Sequence, residues 1–127
     1  MKTDKWVGFD FNRDGWSETH ENRNDAVAQF GRDFRSDLKS MLKGTDWEVY
    51  GLTTNYFYIS GFLRNEKENK WAYVCCSDVR FFKDEWHDSL LIRSARDNKD
   101  YTGGQNRFCA FADIPATLDK KHTLWYN

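Results

Sequence analysis

The 127-residue chain sets 19 Lys and Arg against 20 Asp and Glu, for a formal net charge of −1. That length suits one domain burying roughly two-thirds of its unfolded surface, and the balanced charge argues against a general binder of long nucleic acid, which carries a basic excess. No apolar run approaches the ~18 residues of a membrane span, and the opening MKTDKWVGFDF lacks a signal-peptide pattern, so a cytoplasmic protein with no membrane contact is expected.

Two further compositional features set expectations. Cys75, Cys76 and Cys109 are odd in number, and the first two are adjacent. Neighbours on a strand point to opposite faces, so free thiols in a sheet are expected. Aromatic residues make up 17% of the chain, with six Trp, six Tyr and ten Phe. Rings suit strands and interfaces. A domain with more rings than its core can hold presents some to a partner, and a homo-oligomeric interface is a natural use for them.

From the N-terminus, KTDKWVGF reads as a strand. Residues 10–21, DFNRDGWSETHE, then match the calcium-loop pattern D-x-[DN]-x-[DN]-G-x5-E at every required position. Asp10, Asn12 and Asp14 would supply alternating oxygens, Gly15 the sharp turn and Glu21 a bidentate carboxylate. Against calcium stand Ser17, where an aliphatic residue usually pairs with a second loop, the missing entering helix and the missing second loop. The alternative is an Asx/Gly turn leading into a helix.

That helix is expected from about Asp25 to Lys43. Val27, Phe30, Phe34, Leu38 and Met41 recur at intervals of three and four, making one apolar stripe. Asn24 suits the N-cap and Gly44 the C-terminal stop. Arg32, Arg35 and Lys39 with Asp33 and Asp37 read as an ordinary solvated face.

From Trp47 the period becomes two. Trp47–Thr53 and Asn55–Arg64 read as strands, followed by a turn over 65–70. Trp71–Arg80 alternates Trp71, Tyr73, Cys75 and Ser77 against Ala72, Val74, Cys76 and Asp78. Leu90–Arg96 and Arg107–Phe111 supply two more strands, and the tail from Pro115 holds a short helical turn at most. Short connections favour antiparallel pairing. The expected fold is a single α+β domain: one long amphipathic helix packed on a mostly antiparallel sheet of about five strands.

Between the last two strands lies the most suggestive segment. Arg93, Arg96 and Arg107 flank Tyr101-Thr102-Gly103-Gly104. A Gly-Gly pair admits positive φ and lets a ligand approach the main chain, while arginines offer forks suited to phosphate or carboxylate. Upstream, Arg80-Phe81-Phe82-Lys83 sets two rings between two cations, a second wall able to stack a base and hold a phosphate. Glu85 and Asp88 flank Trp86-His87, read as a solvated turn or an acid/base cluster. No phosphate-binding glycine loop, dinucleotide fingerprint or nucleophile elbow occurs. His20, His87 and His122 are isolated, and Cys75-Cys76 lacks zinc-ligand spacing.

At SDVRFF (Ser77–Phe82) and LLIRSARDNKDYTGGQN (Leu90–Asn106), the chain resembles small phage-encoded proteins, and among them the anti-Thoeris sponge family. The resemblance covers roughly residues 47–111 and leaves the calcium-like loop outside. It implies a non-enzymatic oligomer, acting in the host cytoplasm, that captures a cyclic nucleotide signal of bacterial immunity. Arg93, Arg96, Asp100, Tyr101, Thr102, Gly103, Gly104, Asn106 and Arg107 would then line the pocket.

The expectation is a protein that sequesters a small anionic, nucleotide-like ligand without a cofactor. Arg93, Arg96 and Arg107 would hold phosphates, Gly103 and Gly104 would offer N–H groups, Thr102 and Asn106 would bond sugar or base, and Phe82 or Tyr101 would stack. At about 1.5–3 kcal/mol per charge-assisted contact, three arginines could support submicromolar affinity. The alternatives are a protein–protein inhibitor that blocks a host protein, an enzyme acting on a nucleotide or peptide, and a calcium module. Calorimetric titration checks the last: a functional 10–21 loop releases or absorbs heat with Ca²⁺ at about millimolar concentration or below, and a flat trace removes it.

Overall fold

The computed structural model describes residues 1–7, 9, 11, 23–55, 58–79, 90–101 and 106–119. The helical spacing produces α1 (Arg23–Leu42), and the period-two segments produce β1 (Glu48–Asn55), β2 (Tyr58–Asn65), β3 (Lys70–Cys76), β4 (Leu90–Ala95) and β5 (Asn106–Cys109). A short helix, α2 (Ile114–Leu118), follows a 3₁₀ turn at Phe111–Asp113. The five strands form one sheet in the order β1-β2-β3-β4-β5, every pair antiparallel. This is the expected α+β arrangement, with strand ends moved by a few residues.

The apolar stripe of α1 becomes the core. Val27, Phe30, Phe34 and Leu38 are buried against the sheet's inner face, which presents Ile59, Leu63, Ala72, Val74, Cys76, Leu90 and Ile92. Phe111 stacks on Phe34 at 4.7 Å and carries α2 into the same core. Gly44, at φ +86°, ends the helix in the left-handed conformation that glycine adopts without Cβ strain. The Thr45 amide and hydroxyl both donate to Leu42 O, at 2.9 and 2.7 Å.

Two close approaches fix how the layers meet. A Cβ on Gly31 would lie 2.4 Å from Thr54 Cγ2, so the helix rests against β1 where it has no side chain. Within the sheet, a Cβ on Gly61 would lie 1.8 Å from Gly51 O. Here the β1–β2 register breaks between Val49 and Gly51, leaving Tyr50 as an extra residue, a bulge.

The N-terminal segment and the polar side of α1 depart from the expectation together. Lys2–Trp6 is a 3₁₀ helix rather than a strand, and Asp33 and Asp37 are buried rather than solvated. The two corrections share one cause. Asp37 accepts from the Lys2 and Thr3 amides at 3.0 and 2.8 Å and from the Thr3 hydroxyl at 2.7 Å, acting as an external cap for the short helix. One turn earlier, Asp33 accepts from the Trp6 indole N–H at 2.8 Å, Gln29 Nε2 at 3.0 Å and Lys5 Nζ at 3.1 Å. Trp6 is thereby delivered into the core, stacked on Phe11 at 5.6 Å and edge-on to Phe30 at 5.8 Å. Lys5 is 60% exposed, so its ion pair contributes at most about 1 kcal/mol. The buried indole bond dominates.

Burial pushes the Asp33 carboxyl up, but the hydrogen bonds from Trp6, Lys5 and Gln29 together outweigh it and hold the pKa below its ordinary value. The folded state therefore gives up this proton more readily than the unfolded chain. The stabilisation is complete above the ordinary aspartate range and is lost as pH falls through the lowered folded value.

Two predictions test these contacts. Asp33→Asn should cost about 1–3 kcal/mol at pH 7 and show a smaller loss of stability between about pH 5 and pH 3 than the parent, both read by denaturant melts. Gly31→Ala should destabilise by about 1–3 kcal/mol through overpacking, although alanine is the better helix former. Adding Thr54→Ser, which removes the clashing methyl, should restore much of that loss in a double-mutant cycle.

Candidate functional site on the uncovered sheet face

Helix α1 covers one face of the sheet, no described helix covers the other, and the strand register identifies the residues there. Phe62 pairs with Tyr73 and Tyr73 with Arg93; Ser60 pairs with Cys75 and Cys75 with Leu91; Arg64 pairs with Trp71. Pairing partners share a face, so these side chains stand together opposite the core. On β5 the same face carries Asn106, opposite Arg93, and Phe108, opposite Leu91. The bulge adds Tyr50, whose ring meets Trp71 edge-on at 4.7 Å.

The face is organised as two groups of rings, each with an arginine. At one end the Arg64 guanidinium lies 4.5 Å over Trp71 and donates to Lys70 O at 3.2 Å and Asn69 Oδ1 at 2.9 Å. In the middle Phe62, Tyr73 and Tyr101 form a triangle of edge-to-face contacts at 5.2–5.8 Å. Phe62 is 4% exposed yet belongs to no part of the helix-side core, because Tyr73 and Tyr101 pack against it on the outside.

Arg93 completes the central group. Its guanidinium carbon sits 4.5 Å over the Tyr73 ring, a cation–π contact, and Nη2 donates to the Tyr101 carbonyl. Its Nε is buried and has no hydrogen-bond partner among the described residues. Leaving a charged donor in that state is costly, and native structures seldom do it without cause.

Behind Arg93, burial pushes the Cys75 thiol up, and the Tyr73 hydrogen bond and the Arg93 charge only partly offset this. Burial and the neighbouring Cys75 likewise push up Tyr73, against a Ser60 hydrogen bond and Arg93. Both groups stay protonated at neutral pH. On the core side, burial pushes Cys76 up to about 12. All three cysteines are free, as expected, and Cys75 and Cys76 do face opposite sides of β3. The face thus offers ring surfaces, neutral donors and acceptors, and two half-buried cations, Arg64 and Arg93.

The predicted ligand residues divide. Arg93, Tyr101 and Asn106 come together. Arg96 does not join them as a free donor: its backbone N and Nε both donate to Asp100 Oδ2, at 3.0 and 3.2 Å. Asp100 is buried as the acceptor that closes the 96–101 turn. Arg107 pairs with Ile92, a core residue, so it stands on the helix side of β5, opposite to Arg93. The three-arginine frame is therefore split between two faces and a turn. Phe82, Thr102, Gly103 and Gly104 lie outside the described residues, as do the Arg80–Lys83 wall, the Glu85–Asp88 cluster, the three histidines and the calcium-pattern residues Asp10, Asn12, Asp14, Gly15 and Glu21. Phe11, within that pattern, is a core residue.

Phe62, Tyr73, Trp71, Arg64 and Tyr50 were not anticipated as site residues. The signal lay in β3. Its Ala72/Val74/Cys76 side has the small and aliphatic character of a packed interior, which leaves Trp71 and Tyr73 for the other face. Among the described residues, no group of three or more His, Cys, Asp or Glu is placed to hold a metal ion, and no helix is long and apolar enough to cross a membrane. Compared with known proteins, the chain matches no family model, no curated protein and no solved structure.

Proposed function

We propose that this protein binds, without converting it, a small planar anion of the nucleotide type on its uncovered sheet face, with Arg93 as the anchor. The carrying observation is the Arg93 guanidinium, held on the Tyr73 ring with a buried Nε that lacks a partner among the described residues. Tyr101 and Phe108, 58% and 55% exposed, supply ring faces on the same side of the sheet, and Asn106 stands opposite Arg93 on β5. Thr102, Gly103 and Gly104, which follow Tyr101 in the sequence, and Phe82 are further ligand candidates in this reading. A net charge of −1 suits a small anion better than a polyanion.

Magnitudes refine the expected affinity. One charge-assisted arginine contact contributes about 1.5–3 kcal/mol and stacking about 1–3 kcal/mol per base. Micromolar binding needs about 8 kcal/mol, so one arginine and one ring fall short of it. Submicromolar capture of a cyclic nucleotide, the sponge behaviour that the resemblance implies, would require the loop residues or a second copy of the chain to add contacts. A homo-oligomer acting against a signal in the host cytoplasm is part of this proposal.

A protein partner is the second reading. Tyr50, Tyr101 and Phe108 are each more than half exposed on the same face as Arg64 and Arg93, and Tyr and Arg are enriched in binding hot spots. Thermal-shift measurement with cyclic nucleotides and ADP-ribose derivatives tests the first reading. A hit should raise the melting temperature, and Arg93→Ala should weaken it roughly ten- to hundredfold without unfolding the protein. The ligand should come off the heat-denatured protein chemically intact by mass spectrometry. A panel with no shift beyond about a degree or two, together with a stoichiometric protein captured from host lysate, would favour the second.

A further inference from the structure

Resting on that reading, we infer that Arg93 forms a self-occupied oxyanion fork, closed in the free protein by the Arg96–Tyr101 turn, and that the ligand's anchoring group presents two oxygens. A guanidinium offers carboxylate and phosphate two parallel N–H bonds, and in Arg93 the Nε and Nη2 pair is arranged for such a contact. Nη2 is held by the Tyr101 carbonyl, whereas Nε is buried with no partner among the described residues. A main-chain carbonyl has one oxygen and satisfies one arm. An oxyanion with two oxygens satisfies both, so exchanging the carbonyl for a phosphate or carboxylate removes the unmet donor.

The turn that supplies this carbonyl is held by bonds separable from the fold. Asp100 accepts from Arg96 N and Nε, Lys99 N donates to Asp97 Oδ1 at 2.8 Å, Asn98 Nδ2 donates to the Tyr50 hydroxyl at 3.2 Å, and the Tyr101 ring rests on Phe62 and Tyr73. None of these contacts reaches the helix-side core. The turn can leave Arg93 while β4 and β5 stay paired. Asp100 then has a stated role: it acts through the turn as a positioning residue that sets how often the fork is open.

Three probes separate the chemistry: AMP (a phosphate on a purine), benzoate (a carboxylate on a ring) and adenosine (the purine without an anion). In ¹⁵N-labelled protein, AMP and benzoate should move the Arg93 Nε–H resonance and adenosine should not. The larger response identifies phosphate or carboxylate as the preferred oxyanion. Arg93→Lys, which keeps the charge and loses the fork, should weaken AMP binding roughly tenfold or more. Amide hydrogen exchange at residues 97–101 should accelerate when AMP is added, because the turn is displaced. Asp100→Asn should tighten AMP binding by roughly two- to tenfold, the scale of one latch hydrogen bond.

The failures are distinguishable. If AMP moves the Arg93 resonance but slows exchange at 97–101, and Asp100→Asn leaves binding unchanged or weaker, the gate is wrong and the anion site stands. If Arg93→Lys binds AMP like the parent, or adenosine binds as well as AMP, the two-oxygen fork is wrong. If neither anion moves the Arg93 resonance in the parent or in Asp100→Asn, no oxyanion binds there and the proposed function falls with the inference.

Discussion

A single long helix is laid over a five-stranded sheet, and it covers one side only. On that side Gly31 lets α1 close onto Thr54, and the inward strand residues are aliphatic or small. A sheet of this kind normally turns polar side chains to water on its other side. Here Phe62 and Tyr73 pack on each other on the open side and Trp71 packs on Tyr50, with Arg64 laid over Trp71 and Arg93 over Tyr73. Guanidinium groups can shield aromatic faces while keeping polar edges available. The aromatic excess of the composition thus has two destinations, a helix-side core and a self-packed outer layer.

The sequence was informative where one local period decided the outcome. Val27, Phe30, Phe34 and Leu38 mark the inward stripe of α1, and the alternation from Trp71 to Cys76 marks the two faces of β3. It was uninformative where the deciding partner is remote. Asp33 and Asp37 sit among Arg32, Arg35 and Lys39 and look like any charged helix surface. Their role depends on Lys2, Thr3 and Trp6, 27 to 35 positions away. The same contacts explain why KTDKW coils into a 3₁₀ helix: its first amides are satisfied by a helix that the local pattern does not contain.

Arg93, Arg96 and Arg107 show the same limit within a single segment of chain. Proximity in the sequence suggested a common frame, but parity in a strand is fixed by register, and register is a property of the pair. Ile92 opposite Arg107 sends that arginine to the helix side, while Asn106 opposite Arg93 stays on the open face. Arg96 lies past the end of β4, where Asp100 engages it. What remained legible was Arg93 with Tyr101 and Asn106. Its companions Phe62 and Tyr73 come from β2 and β3, remote from the loop in sequence.

Strand order in the sheet repeats strand order in the chain, with consequences for how the molecule is assembled. Every ladder joins sequence neighbours, so each strand pairing closes a short stretch of chain at modest entropic cost. Such topologies favour rapid formation. The contacts that span real distance in the chain are those of the cover: Phe111 stacked on Phe34, and the first turn clipped to α1. A population with its meander formed and its N-terminal arm undocked would still present the aromatic layer to solvent. The aromatic layer would thus depend on the ladders more than on the arm, and changes near residues 2–6 would alter solubility and lifetime while leaving that layer in place.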